Sequence, residues 1–188
     1  MTVKIPVASG LWRHNLCSRT NGAIFDSDWP AHIKSTHLRP FNSMEKIVVT
    51  SHFHTGHRQL NFPGKCKYVH GHTWRGKMII TTEEFPRDEI DMSLEFGELK
   101  QIMRDLDHKI IVTEDDKTFL DESLFEPAGV KLIAGKGPSV ENVALHVYRG
   151  AVNHIQERFP GQNKEYTITV EIQETDNNFF SVEKKVTV

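Results

Sequence analysis

The sequence predicts an α+β protein whose antiparallel sheet takes strands from both ends of the chain and carries two helices between them. Three observations support this. Tyr166, Ile168, Val170 and Ile172 alternate strictly with Thr167, Thr169, Glu171 and Gln173, the mark of a strand with one buried and one wet face. Val140, Val143, Ala144, Val147, Tyr148, Ala151 and Ile155 recur at helical spacing behind the start signal Pro138-Ser139. Upstream, the β-branched run Ile47-Val48-Val49-Thr50 and the apolar stretch Met78-Ile79-Ile80-Thr81-Thr82 both read as strands. The order is strand, strand, helix, helix, strand, strand (ββααββ), a four-stranded antiparallel sheet with two helices between the strand pairs.

Taken in order, residues 1–43 form an N-terminal extension, because Pro6, Gly10, Gly22, Pro30 and Pro40 interrupt every short apolar run. It reads as an arm packed on the body or on a neighbouring subunit, with Met44 as an alternative start. The domain proper covers residues 44–188. Its first two strands flank a long loop carrying Pro63-Gly64. Leu99, Ile102, Met103 and Leu106 then supply the stripe of a first amphipathic helix, expected to end near Asp107-His108. The second helix stops at Pro160-Gly161, the alternating strand follows, and residues 179–188 complete the last strand.

Composition excludes several classes. With 188 residues, 38% apolar and 26% charged, the chain has the profile of a single globular domain. Its 23 Lys+Arg against 25 Asp+Glu give a net charge of −2, without the basic footprint of a general nucleic-acid binder. No run approaches the roughly 18 apolar residues of a membrane span, and the N-terminus lacks the order of a signal peptide, so the expectation is cytoplasmic. Two cysteines, Cys17 and Cys66, do not make a disulfide framework.

The feature out of proportion is histidine: of 11 in the chain, His52, His54, His57, His70 and His72 fall within 21 residues and share them with Cys66. On a strand, His70 and His72 point to one face, about 6.6 Å apart at the backbone, and Gly71 between them leaves space on the other. A catalytic zinc site typically has three protein ligands and one open position, and His57 on the preceding strand is the candidate third. Cys66 has two readings. It is either a fourth ligand in a closed structural site or a reactive thiol beside an open one; a free thiol has a pKa of about 8.5, lowered by a nearby cation, and its thiolate can serve as a base. His52 and His54 read as exposed strand residues.

Asp107-His108 offers a carboxylate beside an imidazole, suited to storing a proton near neutral pH, or alternatively a histidine placed by the macrodipole at a helix C-terminus. Glu174 closes the alternating strand ahead of the turn-rich Thr175-Asp176-Asn177-Asn178. Its two oxygens can accept side by side from the ring NH and amino donors of a heterocycle, or it is a solvated turn acid.

Five ordered blocks, Gly56-His57-Arg58, Gly64-Lys65-Cys66-Lys67-Tyr68-Val69-His70-Gly71-His72-Thr73-Trp74, Leu106-Asp107-His108, Pro138-Ser139-Val140-Glu141-Asn142 and Glu174-Thr175-Asp176-Asn177-Asn178, resemble the 6-pyruvoyl-tetrahydropterin synthase / 6-carboxytetrahydropterin synthase family. The resemblance spans residues 47–188. It implies a tunnelling fold (T-fold) and a homo-oligomer, commonly a hexamer built as a dimer of trimers. It also implies Zn2+ held by His57, His70 and His72, with Cys66 as catalytic base and Asp107 and His108 as its proton-relay partners. Glu174 would anchor a small-molecule pterin, with Ser139 and Glu141 in the substrate-binding set. The implied substrate is 7,8-dihydroneopterin triphosphate.

Within the resemblance, the Gly-Lys-Cys block favours 6-carboxytetrahydropterin synthesis, which feeds 7-deazaguanine and queuosine, with loss of acetaldehyde and triphosphate. The Glu-Thr-Asp-Asn-Asn block favours the pyruvoyl-forming lyase of tetrahydrobiopterin synthesis. Cleavage to a hydroxymethyl-pterin fits less well with Cys66 present. From another class, a non-catalytic zinc-stabilised interaction module would use Cys66 as a fourth ligand. The chain departs from the family pattern at Glu95, where Asp is usual, at Ser139, where Thr is usual, and in the long connection between Ile110 and Gly137, which is placed to alter the pocket rim.

Overall fold

The computed structural model describes residues 43–188, so the expected extension lies outside the described residues apart from Ser43. The elements are β1 (Glu45–His57), β2 (His70–Thr82), α1 (Phe96–Arg104), β3 (Lys109–Val112), β4 (Val130–Leu132), α2 (Val140–Arg158), β5 (Glu165–Thr175) and β6 (Asn178–Thr187), with short 3-10 turns at Lys65–Lys67 and Pro127–Gly129.

The four expected strands pair antiparallel in the order β1-β2-β5-β6. β1 and β2 run far beyond their apolar stretches, in register from Glu45↔Thr82 to His57↔His70. The sheet is nevertheless six-stranded and mixed, not four-stranded and antiparallel. β3 adds to β1 in parallel, with Thr55↔Lys109 and His57↔Ile111 as partners, and β4 adds in parallel to β3. Strands of four and three residues are too short to show an alternation, and parallel pairing needs a crossover that leaves no local signature.

Both helices cover one face of the sheet. Phe53, Trp74, Met78, Ile80, Ile168 and Ile172 rise from the strands to meet Leu99 and Met103 of α1 and Val143, Val147, Ala151 and Ile155 of α2, all fully buried. The opposite face carries the exposed side chains of Thr50, His52, His54, Arg75 and Lys77. This is the two-sided pattern of an antiparallel sheet. α1 ends earlier than expected, at Arg104; the chain then turns and His108 adopts φ 55°, a left-handed conformation that terminates the helical path. α2 begins as expected, with Ser139 Oγ accepting from the Asn142 N–H at 3.5 Å.

Candidate metal centre and proton-transfer groups

Strand parity builds the metal centre. His57 ends β1 and His70 begins β2 as register partners, and His72 lies two residues along the same face. The ligand atoms of His57, His70 and His72 all lie within 4.8 Å of one another, with ring centroids separated by 4.6, 5.0 and 5.4 Å. Trp74, fully buried two residues beyond His72, sets its indole edge-on against His57 and His72 at 5.1 and 5.7 Å and forms an apolar floor. Parity with His70 and His72 is the signal in the sequence that places Trp74 there, a role its motif does not by itself announce.

Two backbone carbonyls orient the rings. The Nδ1–H of His57 donates to Pro138 O at 2.8 Å, and that of His70 donates to Tyr68 O at 2.8 Å. The tautomers follow from these acceptors, which leave each Nε2 lone pair free to bind. Burial, opposed by the Pro138 bond and assisted by the neighbouring His70 and His72 rings, pulls the His57 pKa down to about 4. His57 is therefore neutral at pH 7, and its Nε2 is buried without a hydrogen-bond partner.

Glu174 at the end of β5 brings Oε1 to 3.4 Å from His57 Nε2 and 4.0 Å from His72 Nε2. With His57 neutral, this is a lone pair facing a carboxylate oxygen, which is unfavourable without a cation nearby. The orphaned Nε2, carbonyl-fixed rings and adjacent carboxylate fit a bound divalent metal. An all-imidazole set suits a first-row transition metal. Glu174 does not belong to the mutually close group of three.

Cys66 also stands outside that group. It is exposed in the 3-10 turn Lys65–Lys67, whose position is fixed by a bond from Gln59 N–H to Cys66 O at 2.7 Å. The arrangement thus favours an open three-nitrogen site over a closed one containing Cys66.

Asp107 and His108 form the expected pair, with His108 Nδ1 2.9 Å from Asp107 Oδ2. Asp107 Oδ1 accepts the His54 backbone N–H at 2.7 Å, and this bond, followed by that of His108, holds the carboxyl below the usual range. The pair does not join the three histidines. His108 packs against His54, at 6.0 Å between centroids, and His54 alternates with His57 on β1, so it faces the opposite side of the sheet. There a cleft of about 680 Å³ is walled by His54, His108, Phe125 and Glu126, with the register partners Gly56 and Gly71 at its floor. Ser139 caps α2, and Glu141 is exposed in its first turn.

A mixed sheet backed by two helices, with three histidines converging from adjacent strand ends, defines an α+β protein with a sheet-borne histidine cluster able to hold a metal ion. The chain belongs to the 6-pyruvoyl tetrahydropterin synthase family, whose model matches residues 46–185. It is 29% identical over 145 residues to the 6-carboxy-5,6,7,8-tetrahydropterin synthase of Rickettsia bellii, covering 74% of this chain and 100% of that one. The enzyme of the same name from Rickettsia felis is 27% identical over 145 residues, with the same coverage. Among solved structures, the 6-pyruvoyl tetrahydropterin synthase of Plasmodium falciparum superposes with a TM-score of 0.56 at 16% identity, covering 77% of this chain and 100% of the other. That of Plasmodium vivax gives a TM-score of 0.53 at 16% identity, covering 77% of this chain and 99% of that one. The fold is the T-fold expected from the sequence, in a family of enzymes.

Proposed function

We propose that the protein is a zinc-dependent lyase acting on 7,8-dihydroneopterin triphosphate. In this reading it consumes one water, releases triphosphate and acetaldehyde and forms 6-carboxy-5,6,7,8-tetrahydropterin, in the cytoplasm and on the route to 7-deazaguanine and queuosine. The observation that carries the reading is the convergence of His57, His70 and His72, with the buried Nε2 of His57 left without a partner. The names of the Rickettsia relatives support the carboxy product.

Zinc, when bound by the three imidazoles, supplies Lewis-acid polarisation of the substrate's side-chain hydroxyls. The protein's own groups do the rest. Glu174 accepts from the ring NH and amino group of the pterin and fixes the ring's orientation, with Ser139 and Glu141 at the rim. Cys66 takes the carbon-bound proton, and His108, oriented by Asp107, returns a proton during side-chain rearrangement.

Because His108 packs on His54, which strand parity sends to the face opposite the three histidines, the relay serves the metal centre of a neighbouring subunit. This favours a homo-oligomer, in family terms a hexamer built as a dimer of trimers. Strand β6, ten residues long, pairs only with β5 among the described residues and offers an open edge for such assembly.

A second reading, the 6-pyruvoyl-forming lyase, is favoured by the Glu174-Thr175-Asp176-Asn177-Asn178 block. Incubating the zinc-loaded protein with dihydroneopterin triphosphate and weighing the product decides between them. Acetaldehyde with a carboxypterin is expected, a pyruvoyl-pterin establishes the second reading, and unaltered substrate removes both.

A further inference from the structure

We propose that Asp116 is a positioning residue for the metal centre, acting through Arg58 on the strand end that carries His57. The inference rests on the three-histidine reading above and gives a task to the long connection between β3 and β4.

His57 is the last residue of β1, and Arg58 opens the loop that leaves the sheet. A terminal strand residue frays unless something beyond it is held. Here the next side chain is bolted down. Arg58 Nε donates to Asp116 Oδ2 at 2.7 Å and Arg58 Nη2 to Asp116 Oδ1 at 2.6 Å, a two-pronged pairing, while Nη2 also donates to Thr118 Oγ1 at 3.1 Å. The guanidinium lies over the Phe119 ring at 4.9 Å, and Phe119 packs on Phe125 at 4.9 Å. Asp116 is itself placed by a turn directly after β3, its N–H donating to Thr113 O at 3.0 Å.

The same segment holds His57 twice. Ile111 of β3 is the backbone partner of His57, and Asp116, five residues on, grips the adjoining side chain. With His70 on the other side and Pro138 O on the ring, His57 is fixed from four directions.

The pair is also a costly arrangement. Asp116 is only 4% exposed, and a carboxylate so buried is tolerated only where two-pronged geometry and further hydrogen bonds offset its desolvation. Stabilising a surface connection would not need it. Beside a metal ligand it has a use: groups bonded to the ligand itself tune metal affinity by about 10- to 100-fold, and Asp116, which acts one residue removed through Arg58, belongs at the low end of that range.

The test uses the full chain, freed of metal by chelation and titrated with Co2+, read by visible d–d absorption and by circular dichroism. Asp116→Asn is expected to weaken Co2+ binding about 10-fold or more and to alter the band pattern, with Asp116→Glu recovering part of both. Glu122→Gln, an exposed acid in the same connection, is expected to change neither. If Asp116→Asn does not fold, Arg58→Lys takes its place, keeping the charge while losing the fork. A folded Asp116→Asn or Arg58→Lys with wild-type Co2+ affinity and spectrum overturns the proposal. Wild-type protein lacking the bands of nitrogen-bound Co2+ overturns the metal reading itself, and this inference with it.

Discussion

The two nitrogens of His57 differ: Nδ1–H is committed to Pro138 O, and Nε2 is buried without a partner, which leaves its lone pair available to a metal. Its neutrality has a cost at low pH. The His57 pKa is pulled from its ordinary 6.5 to about 4 chiefly by burial, and that of His146 falls likewise, through burial and then Lys131 and Arg149. Between these values the unfolded chain binds more protons than the folded one. Stability of the metal-free protein is therefore fully present above pH 6.5 and declines as pH falls toward 4. Denaturation midpoints measured across this window should fall with pH in the wild type and flatten in a His57→Gln, His146→Gln double variant. An equal slope in both would show that other groups carry the dependence.

Glu174 and Cys66 are separable at the same scale. Glu174→Gln replaces one acceptor oxygen with a donor, so pterin affinity should fall about 10- to 100-fold, the worth of a hydrogen bond to a charged group, with metal content unchanged. Cys66→Ala should keep both metal and pterin while turnover drops about 10²- to 10⁴-fold. Metal analysis of the purified variants checks both: loss of metal from either would make that residue a ligand.

The contact between α1 and α2 depends on Gly150. A Cβ there would stand 2.6 Å from Ile102 Cγ2, so the helices approach at a residue without a side chain. Gly150→Ala gains about 1 kcal/mol of helix propensity but overpacks a branched, stiff neighbour at about 1–3 kcal/mol. The expected result is a melting temperature a few degrees lower, largely restored by adding Ile102→Leu, which moves the branch away from Cβ. A rise in the wild-type background would show that α1 yields freely.

The same elements show what a sequence can and cannot disclose. α2 is legible because its apolar stripe, Ser139 cap and Pro160-Gly161 stop agree, and β5 because its alternation is unbroken. The three histidines are legible because strand parity is local. The partners of β3 and β4, the Pro138 carbonyl behind His57 and the Arg58–Asp116 pair are not, since each joins residues far apart in the chain, or through strands too short for a pattern. The end of α1 falls before the expected position for a local reason: Leu106 continues the apolar stripe into the core although the backbone has already left the helix.

At the scale of the whole molecule, the relay role proposed for Asp107 and His108, which lie on the face opposite the three histidines, predicts that catalysis is shared between subunits. Cys66→Ala and His108→Ala chains should each be inactive, for unrelated reasons. Where Cys66 and His108 of one chain serve one site, mixed assemblies of the two variants contain no intact site and stay inactive. Where His108 acts on a neighbour's site, random mixing pairs an intact Cys66 with an intact His108 at about one quarter of the sites, and activity returns to that fraction. The chains are to be co-expressed with different tags and purified through both, so that only mixed assemblies are assayed. Recovery near one quarter, absent when the separately purified variants are combined without exchange, establishes sharing across the interface. Inactivity of the mixed assemblies would place the relay within a single chain and overturn sharing across the interface.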